Sequence, residues 1–235
     1  MERLTLLHAP NILSPSYHER RQLIEFYSIA KERIHVIPRG IDMQLLDPKV
    51  RFLNGPPKFC SLGSIKPQKN ILGLIRLFAV IQTNYPGATL RIIGAIQNFE
   101  YYATVLAEIQ CLGLNEMVEM TGYIPPNNIA LAIEEAHLHL SASNCETFGR
   151  SIFETLASGL PNIARLTDNA AAEFLAHLPY ARFVDDDIMA LTMLDEMLSK
   201  LSALSAMALE IGCLYDDEIL ARLLVAKICK LYGYQ

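Results

Sequence analysis

Short continuous apolar runs alternate along this chain with longer stretches in which apolar residues return every three or four positions. The runs predict buried strands at residues 56–64, 88–93, 117–121, 138–142, 160–164 and 181–184. Between them the spacing predicts helices from 71 to about 83, from about 99 to 112, from 127 or 128 to 136, and from about 149 onward. Further helices are expected over 169–177, from 188 to about 201, and from about 216 to 231, where Gly233 stops the last one. Ile71, Leu74, Ile75, Phe78 and Ala79 form the stripe of the first helix. In the fourth, Ile152, Phe153, Leu156 and Ala157 share one face, with Glu154, Thr155 and Ser158 off it. Tyr85-Pro86-Gly87, Gly113, Pro125-Pro126 and Gly159 with Pro161 punctuate the pattern. Strands alternating with helices of this length imply right-handed βαβ units. The expected fold is α/β, a Rossmann-like parallel sheet with helices on both faces.

Composition narrows the function. At 235 residues, 51% hydrophobic and 19% charged, the chain can bury a sizeable core and is not disordered. A net charge of −5 argues against a nucleic-acid footprint and against a general attraction to anionic lipid. The basic residues between 18 and 33 are interleaved with acids and read as a solvated helix face. No apolar run approaches the ~18 residues of a transmembrane helix, and the first residues lack a secretory pattern. Five scattered cysteines suit a reducing compartment, so the expected location is cytoplasmic, free or peripheral at the inner membrane face. Cys145, beside Glu146, reads as a bystander thiol. The acidic run 185–187 reads as the start of the helix at 188 rather than as a metal site.

The richest segment is Glu146-Thr147-Phe148-Gly149-Arg150-Ser151-Ile152-Phe153-Glu154, followed directly by Thr155-Leu156-Ala157-Ser158-Gly159-Leu160-Pro161. Two carboxylates flank a glycine turn and a helix start. Carboxylates accept hydrogen bonds from sugar hydroxyls, and unpaired amides at a helix N-terminus suit phosphate. A strand ending at 142, a turn and a helix place this chemistry at the carboxyl edge of a parallel sheet, where open α/β folds bind ligands.

This segment resembles the paired-glutamate signature of retaining glycosyltransferases of the GT-B fold, family 4 in particular. Val36-Ile37-Pro38-Arg39-Gly40-Ile41-Asp42, Leu62-Gly63-Ser64 with Lys69-Asn70, Ile92-Ile93-Gly94 and Thr121-Gly122-Tyr123 match the same family in order. The resemblance implies transfer of a sugar from a UDP- or GDP-linked donor to a hydroxyl with retention of configuration. It implies no metal and no cofactor. Glu146 would contact sugar hydroxyls, Glu154 the ribose, and the amides of Phe148, Gly149 and Arg150 the sugar-phosphate region. Gly63, Ser64 and Lys69 would form the phosphate loop, with Lys69 stabilising the leaving diphosphate; Lys69 and Glu146 are the implied catalytic pair. Three departures from the family stand out. Ser64 replaces an arginine, and Lys66 is a nearby charge at a different position. Asn169 and Ala170 replace a glycine pair before Glu173, and His137 stands for an aspartate. His137 and His139 both read as structural.

The resemblance also divides the chain: 1–40 as the end of an acceptor domain and linker, 41–215 as the nucleotide-sugar domain, 216–235 as a crossover helix. Most of an acceptor half lies outside these residues, so an acceptor-domain chain or a second copy is the expected partner. Ile219, Leu223, Leu224 and Ile228 would then be exposed on the last helix. A non-catalytic nucleotide-sugar-binding or structural subunit is the alternative that Ser64 keeps open. A dinucleotide-dependent dehydrogenase lacks its close triple-glycine turn here.

Overall fold

A computed structural model describes residues 2–232. The N-terminal part comprises α1 (Glu2–His8), β1 (Ile12–Ser14), α2 (Tyr17–Tyr27) and β2 (Ile34–Val36). Strands β1 and β2 pair in parallel as a sheet of two. Ser16 caps α2 by accepting from the amide of Glu19 at 3.1 Å, the side-chain arrangement that a Ser-x-x-Glu start favours.

The main body follows as β3 (Lys58–Leu62), α3 (Ile71–Asn84), β4 (Thr89–Ile93), α4 (Phe99–Cys111), β5 (Val118–Gly122), α5 (Ile129–Ala132), β6 (Leu138–Ser141), α6 (Arg150–Ala157), β7 (Asn162–Arg165), α7 (Ala171–Leu175) and β8 (Ala181–Val184). The six strands β3–β8 form one parallel sheet in the order β5-β4-β3-β6-β7-β8. Strand order therefore reverses between β3 and β6, and a crevice opens beyond their carboxyl ends. The strands were legible because strands covered on both faces are continuously apolar. On one face Leu74, Ile75 and Phe78 of α3 are buried with Val105 and Ile109 of α4. Full burial of each such side chain stabilises by roughly 1.5–3 kcal/mol. Gly94 ends β4 where a Cβ would lie 2.1 Å from the Gly63 carbonyl oxygen, so only glycine lets the two loops meet.

The helices at the edges depart from expectation. The helix expected to reach residue 136 is the single turn α5, preceded by a 3-10 turn at Pro126–Asn128. Its later carbonyls serve arginines instead: Arg91 donates to the Ala132 oxygen at 3.0 Å, and Arg51 donates to the Glu134 oxygen. The helix expected over 169–177 is only α7, because the Asn169 side chain spans the turn from the Arg165 carbonyl to the Ala171 amide. Asp186 caps α8 (Asp187–Ser199), accepting from Ile188 and Met189. Two helices absent from the expectation, α9 (Leu201–Ala208) and α10 (Glu210–Tyr215), then return the chain to α6.

On α6 the expected division of faces is wrong at two positions. Thr155 and Ser158 are fully buried, since their hydroxyls donate to the carbonyls of Ser151 and Glu154 and so need no water. The last helix, α11 (Asp217–Tyr232), leaves Ile219, Leu223 and Ile228 exposed, Leu224 half-buried and Leu220 buried. The Gly233 stop lies outside the described residues. Among those residues, no single helix is long and apolar enough to cross a membrane. The pair of α8 with residues 201–215 is apolar enough but bent by 90°, and Leu194, Met197, Leu201, Leu204 and Ile211 are buried in the core.

Candidate functional site

The crevice beyond β3 and β6 is a cleft of about 690 Å³ lined by Gly63, Ser64, Lys69, Glu146, Phe148, Gly149, Arg150 and Glu154. All eight residues singled out in the sequence thus line one space. The loop after β3 brings Gly63 and Ser64, and the 3-10 turn Pro67–Lys69 brings Lys69. The loop after β6 brings Glu146, and α6 presents Glu154 about one turn in. Gly149 precedes α6 at φ +82°, a backbone that disfavours any Cβ; one would also lie 2.9 Å from Ala171 Cβ. The first amides of α6 follow it, turned toward the cleft end of the helix.

The two loops are tied together. Asn144 N–H donates to the Gln68 carbonyl at 2.9 Å, and the Gln68 side-chain amide donates to the Cys145 carbonyl at 3.2 Å. Beyond Cys145, Glu146 continues the pairing of β6 with the β7 side past the sheet edge. Its amide donates to the Asp168 carbonyl at 2.9 Å, and its carbonyl accepts from Ala170 at 2.8 Å.

Charge in the cleft is largely internally paired. Lys69 Nζ lies 2.5 Å from Glu146 Oε1, and this pair is mostly buried. Arg150 Nε lies 3.0 Å from Glu154 Oε1. Burial raises the pKa of the Glu154 carboxyl, Arg150 draws it back, and the Asp217 carboxylate at the start of α11 pushes it up again. Phe148 is 2% exposed and stacks on Phe153 with ring centroids 4.4 Å apart. Its ring therefore faces the core, and only its backbone is offered to a ligand. Lys66 does not line the cleft; Arg39, an exposed cation from the segment before β3, does.

Arg39, Asp42, Tyr123, Ile124 and Asp217 are cleft residues that sequence reasoning did not assign to the site. Val36–Asp42 and Thr121–Tyr123 carried a signal as matched segments. Asp217 carried none, since α11 reaches the cleft only through tertiary folding. Beneath the loop after β3, His139 is fully buried. Its Nε2 accepts from the Leu62 amide at 3.1 Å, so Nδ1 carries the proton and donates to Asn162 Oδ1 at 2.5 Å. His137 Nδ1 accepts from the Lys58 amide at 2.9 Å. Both histidines are therefore structural. Among the described residues, no group of three or more His, Cys, Asp or Glu could hold a metal ion.

Strand order and crevice define a doubly wound α/β protein with a charged cleft at its topological switch point, where open folds of this kind bind ligands. The family model for glycosyl transferases group 1 matches residues 42–190, and the chain belongs to that family. A D-inositol 3-phosphate glycosyltransferase of Nocardia farcinica is 28% identical over 178 residues, covering 69% of this chain and 39% of that protein. Mannosylfructose-phosphate synthase of Agrobacterium fabrum is 27% identical over 188 residues, covering 73% of this chain and 41% of its own. The chain thus spans about two fifths of the curated relatives it matches. Among solved structures, sucrose-phosphate synthase from Thermosynechococcus elongatus superposes with a TM-score of 0.83 at 19% identity, over 100% of this chain and 61% of that one. Anabaena Alr3699/HepE in complex with UDP and glucose superposes with a TM-score of 0.80 at 18% identity, over 96% and 64%. These likenesses are to proteins of the GT-B glycosyltransferase fold.

Proposed function

We propose that this chain is the donor-binding half of a retaining glycosyltransferase, which moves a sugar from a UDP- or GDP-linked donor to a hydroxyl acceptor. The observation that carries this reading is the convergence of Lys69, Glu146 and Glu154 from three separate elements on one cleft at the switch point. In this reading Glu154 accepts from the ribose hydroxyls and Glu146 from the sugar. The backbone amides from Phe148 to Arg150 face the diphosphate. As the bond from the sugar to the diphosphate breaks, negative charge grows on the leaving oxygen, and a fixed cation lowers that barrier. Lys69 is that cation, so the reading needs no metal. The acceptor site lies outside this chain's own sheet of six, and an acceptor domain or a second copy is the partner in this reading. The division at about residue 40 and the exposed face of α11 suit that arrangement, and five free thiols suit a cytoplasmic location.

The test is calorimetric titration with UDP, GDP, ADP and their sugar conjugates. A charge-assisted hydrogen bond contributes about 1.5–3 kcal/mol, so Glu154→Ala should weaken nucleotide binding by about one to two decades. No binding by the wild type to any of these ligands would reduce the reading to a non-catalytic subunit of this family.

The pH dependence has a definite sign. Ribose hydroxyls donate to the ionised Glu154, whose carboxyl is shifted upward, mainly by burial. Nucleotide affinity should therefore begin to fall at a higher pH than an ordinary glutamate would dictate. Arg150→Ala should move that midpoint further up and Asp217→Asn should move it down, read as UDP affinity against pH. A midpoint indifferent to both substitutions would detach Glu154 from the nucleotide.

A further inference from the structure

Glu146 is held by more than its own sheet. Ser16, the cap of α2, is fully buried and donates from Oγ to the Thr147 carbonyl at 2.7 Å. Thr147 is the residue next to Glu146. Two residues after Ser16, His18 Nε2 lies 2.9 Å from Asp168 Oδ1. Asp168 supplies the carbonyl that accepts from the Glu146 amide, and it does so at φ +53°, a left-handed backbone that is uncommon for non-glycine residues but that aspartate tolerates better than most. The same helix start is fastened once more: the His18 amide donates to Glu173 Oε2 at 3.0 Å, and Arg21 pairs with Glu173 Oε1 at 2.6 Å. Both neighbours of the Glu146 backbone, Thr147 on one side and Asp168 across the bridge, are thus tied to the first turn of α2.

We infer that Ser16 and His18 are positioning residues for Glu146: through Thr147 and Asp168, the segment before the linker sets where the sugar-facing carboxylate points. The inference rests on the donor-site reading for what Glu146 does, but not for how it is held. It follows that motion of the N-terminal segment relative to the sheet is felt first at Glu146, while Glu154, carried by the helix interior, is insulated from it. Sugar recognition is then coupled to the seating of the N-terminal segment, and nucleotide recognition is not.

Three substitutions at one position separate positioning from simple stability. Ser16→Thr keeps both the cap and the donor. Ser16→Asp keeps a good cap for Glu19 but can only accept, so it loses the bond to Thr147. Ser16→Ala loses both. UDP with UDP-glucose, and GDP with GDP-mannose, are titrated into each full-length variant. The gain in affinity of the sugar conjugate over the bare diphosphate should fall about tenfold in Ser16→Asp and Ser16→Ala, with the bare diphosphate within about twofold of wild type. Ser16→Thr should restore the gain. A loss shared equally by both ligands, or no loss, overturns the inference.

Amide hydrogen exchange in the ligand-free chain reads the same buttress without any nucleotide. Ser16→Asp and His18→Ala should speed exchange at Glu146 and Ala170, whose amides close the bridge, while the amides of β4 stay protected. Unchanged protection at Glu146 and Ala170 overturns the inference whether or not nucleotide binds. A wild type that binds neither pair of ligands removes the donor-site reading alone, and the exchange result still decides the buttress.

Discussion

Glu146→Gln should bind UDP or GDP more tightly than the wild type, and Lys69→Ala should bind them more weakly. The Lys69 ammonium is 2.5 Å from the Glu146 carboxylate, with only 19% and 11% of the two side chains exposed. A diphosphate that recruits Lys69 must compete with that carboxylate for the same three donors. It must also approach a second negative charge in a space where water screens poorly. Removing the charge at Glu146 while keeping its shape ends the competition. A charge-assisted contact of about 1.5–3 kcal/mol then becomes available to the phosphate, or about one to two decades in affinity. The sugar conjugate should gain less than the bare diphosphate, because the glutamine cannot accept from sugar hydroxyls as strongly. Turnover should fall. Lys69→Ala has the opposite sign on the diphosphate and a further cost: it leaves a mostly buried carboxylate unpaired, a change that destabilises by about 3–5 kcal/mol where a buried pair is broken. Calorimetry with UDP and GDP on both variants checks the signs. If both substitutions weaken the diphosphate alike, the ion pair is not a competitor of the ligand and Glu146 belongs to the phosphate site itself.

That opposition was not visible in the sequence. Lys69 and Glu146 were each legible through their own local motif, and the cleft contains both. Their mutual pairing spans 77 positions and depends on the adjacency of β3 and β6. No local pattern encodes it. The same holds for Asp217, which reaches the cleft from beyond the sheet, and for Ser16 and His18 behind it. By contrast the inner strands of the sheet of six were legible because burial on both faces leaves little polar alternation to misread. The α6 start was legible because Gly149 and the paired glutamates mark it chemically.

Where the sequence misled, polar atoms had found partners inside the chain. Thr155 and Ser158 look like surface residues by side-chain type, yet their hydroxyls are satisfied by the helix's own carbonyls. Asn162 then packs against Thr155 at 3.1 Å, so a polar residue on α6 serves the core. The premature end of α5 has the same origin, since buried Arg51 and half-buried Arg91 take carbonyls that a longer helix would have used. Periodicity counts apolar residues and cannot see which polar groups will be paired.

The His139 network makes stability depend on pH. His139 is fully buried beneath the loop after β3, and burial pushes its pKa from 6.5 down to about 4; the bond to Asn162 raises it in part and the Lys69 charge lowers it. In the unfolded chain an ordinary histidine takes up a proton near pH 6.5. Between about pH 6.5 and about 4 the unfolded state therefore binds the proton and the folded state does not. Stability should be fully present above that window and fall as pH decreases through it, by about 3 kcal/mol in all. Burial likewise lowers the pKa of His137, which adds to the loss with the same sign. Urea unfolding of the wild type and of His139→Gln across this range, taken as a difference, cancels the carboxylates that both proteins share. The variant should be less stable at pH 7, where the Leu62 amide and Asn162 depend on the imidazole. It should then lose less on acidification, so the two curves converge toward pH 4. Parallel curves would mean that His139 titrates normally in the folded protein and that the tautomer assigned to it is wrong. Convergence would identify a neutral imidazole as the joint between β3, β6 and β7, one residue behind Gly63 in the cleft lining.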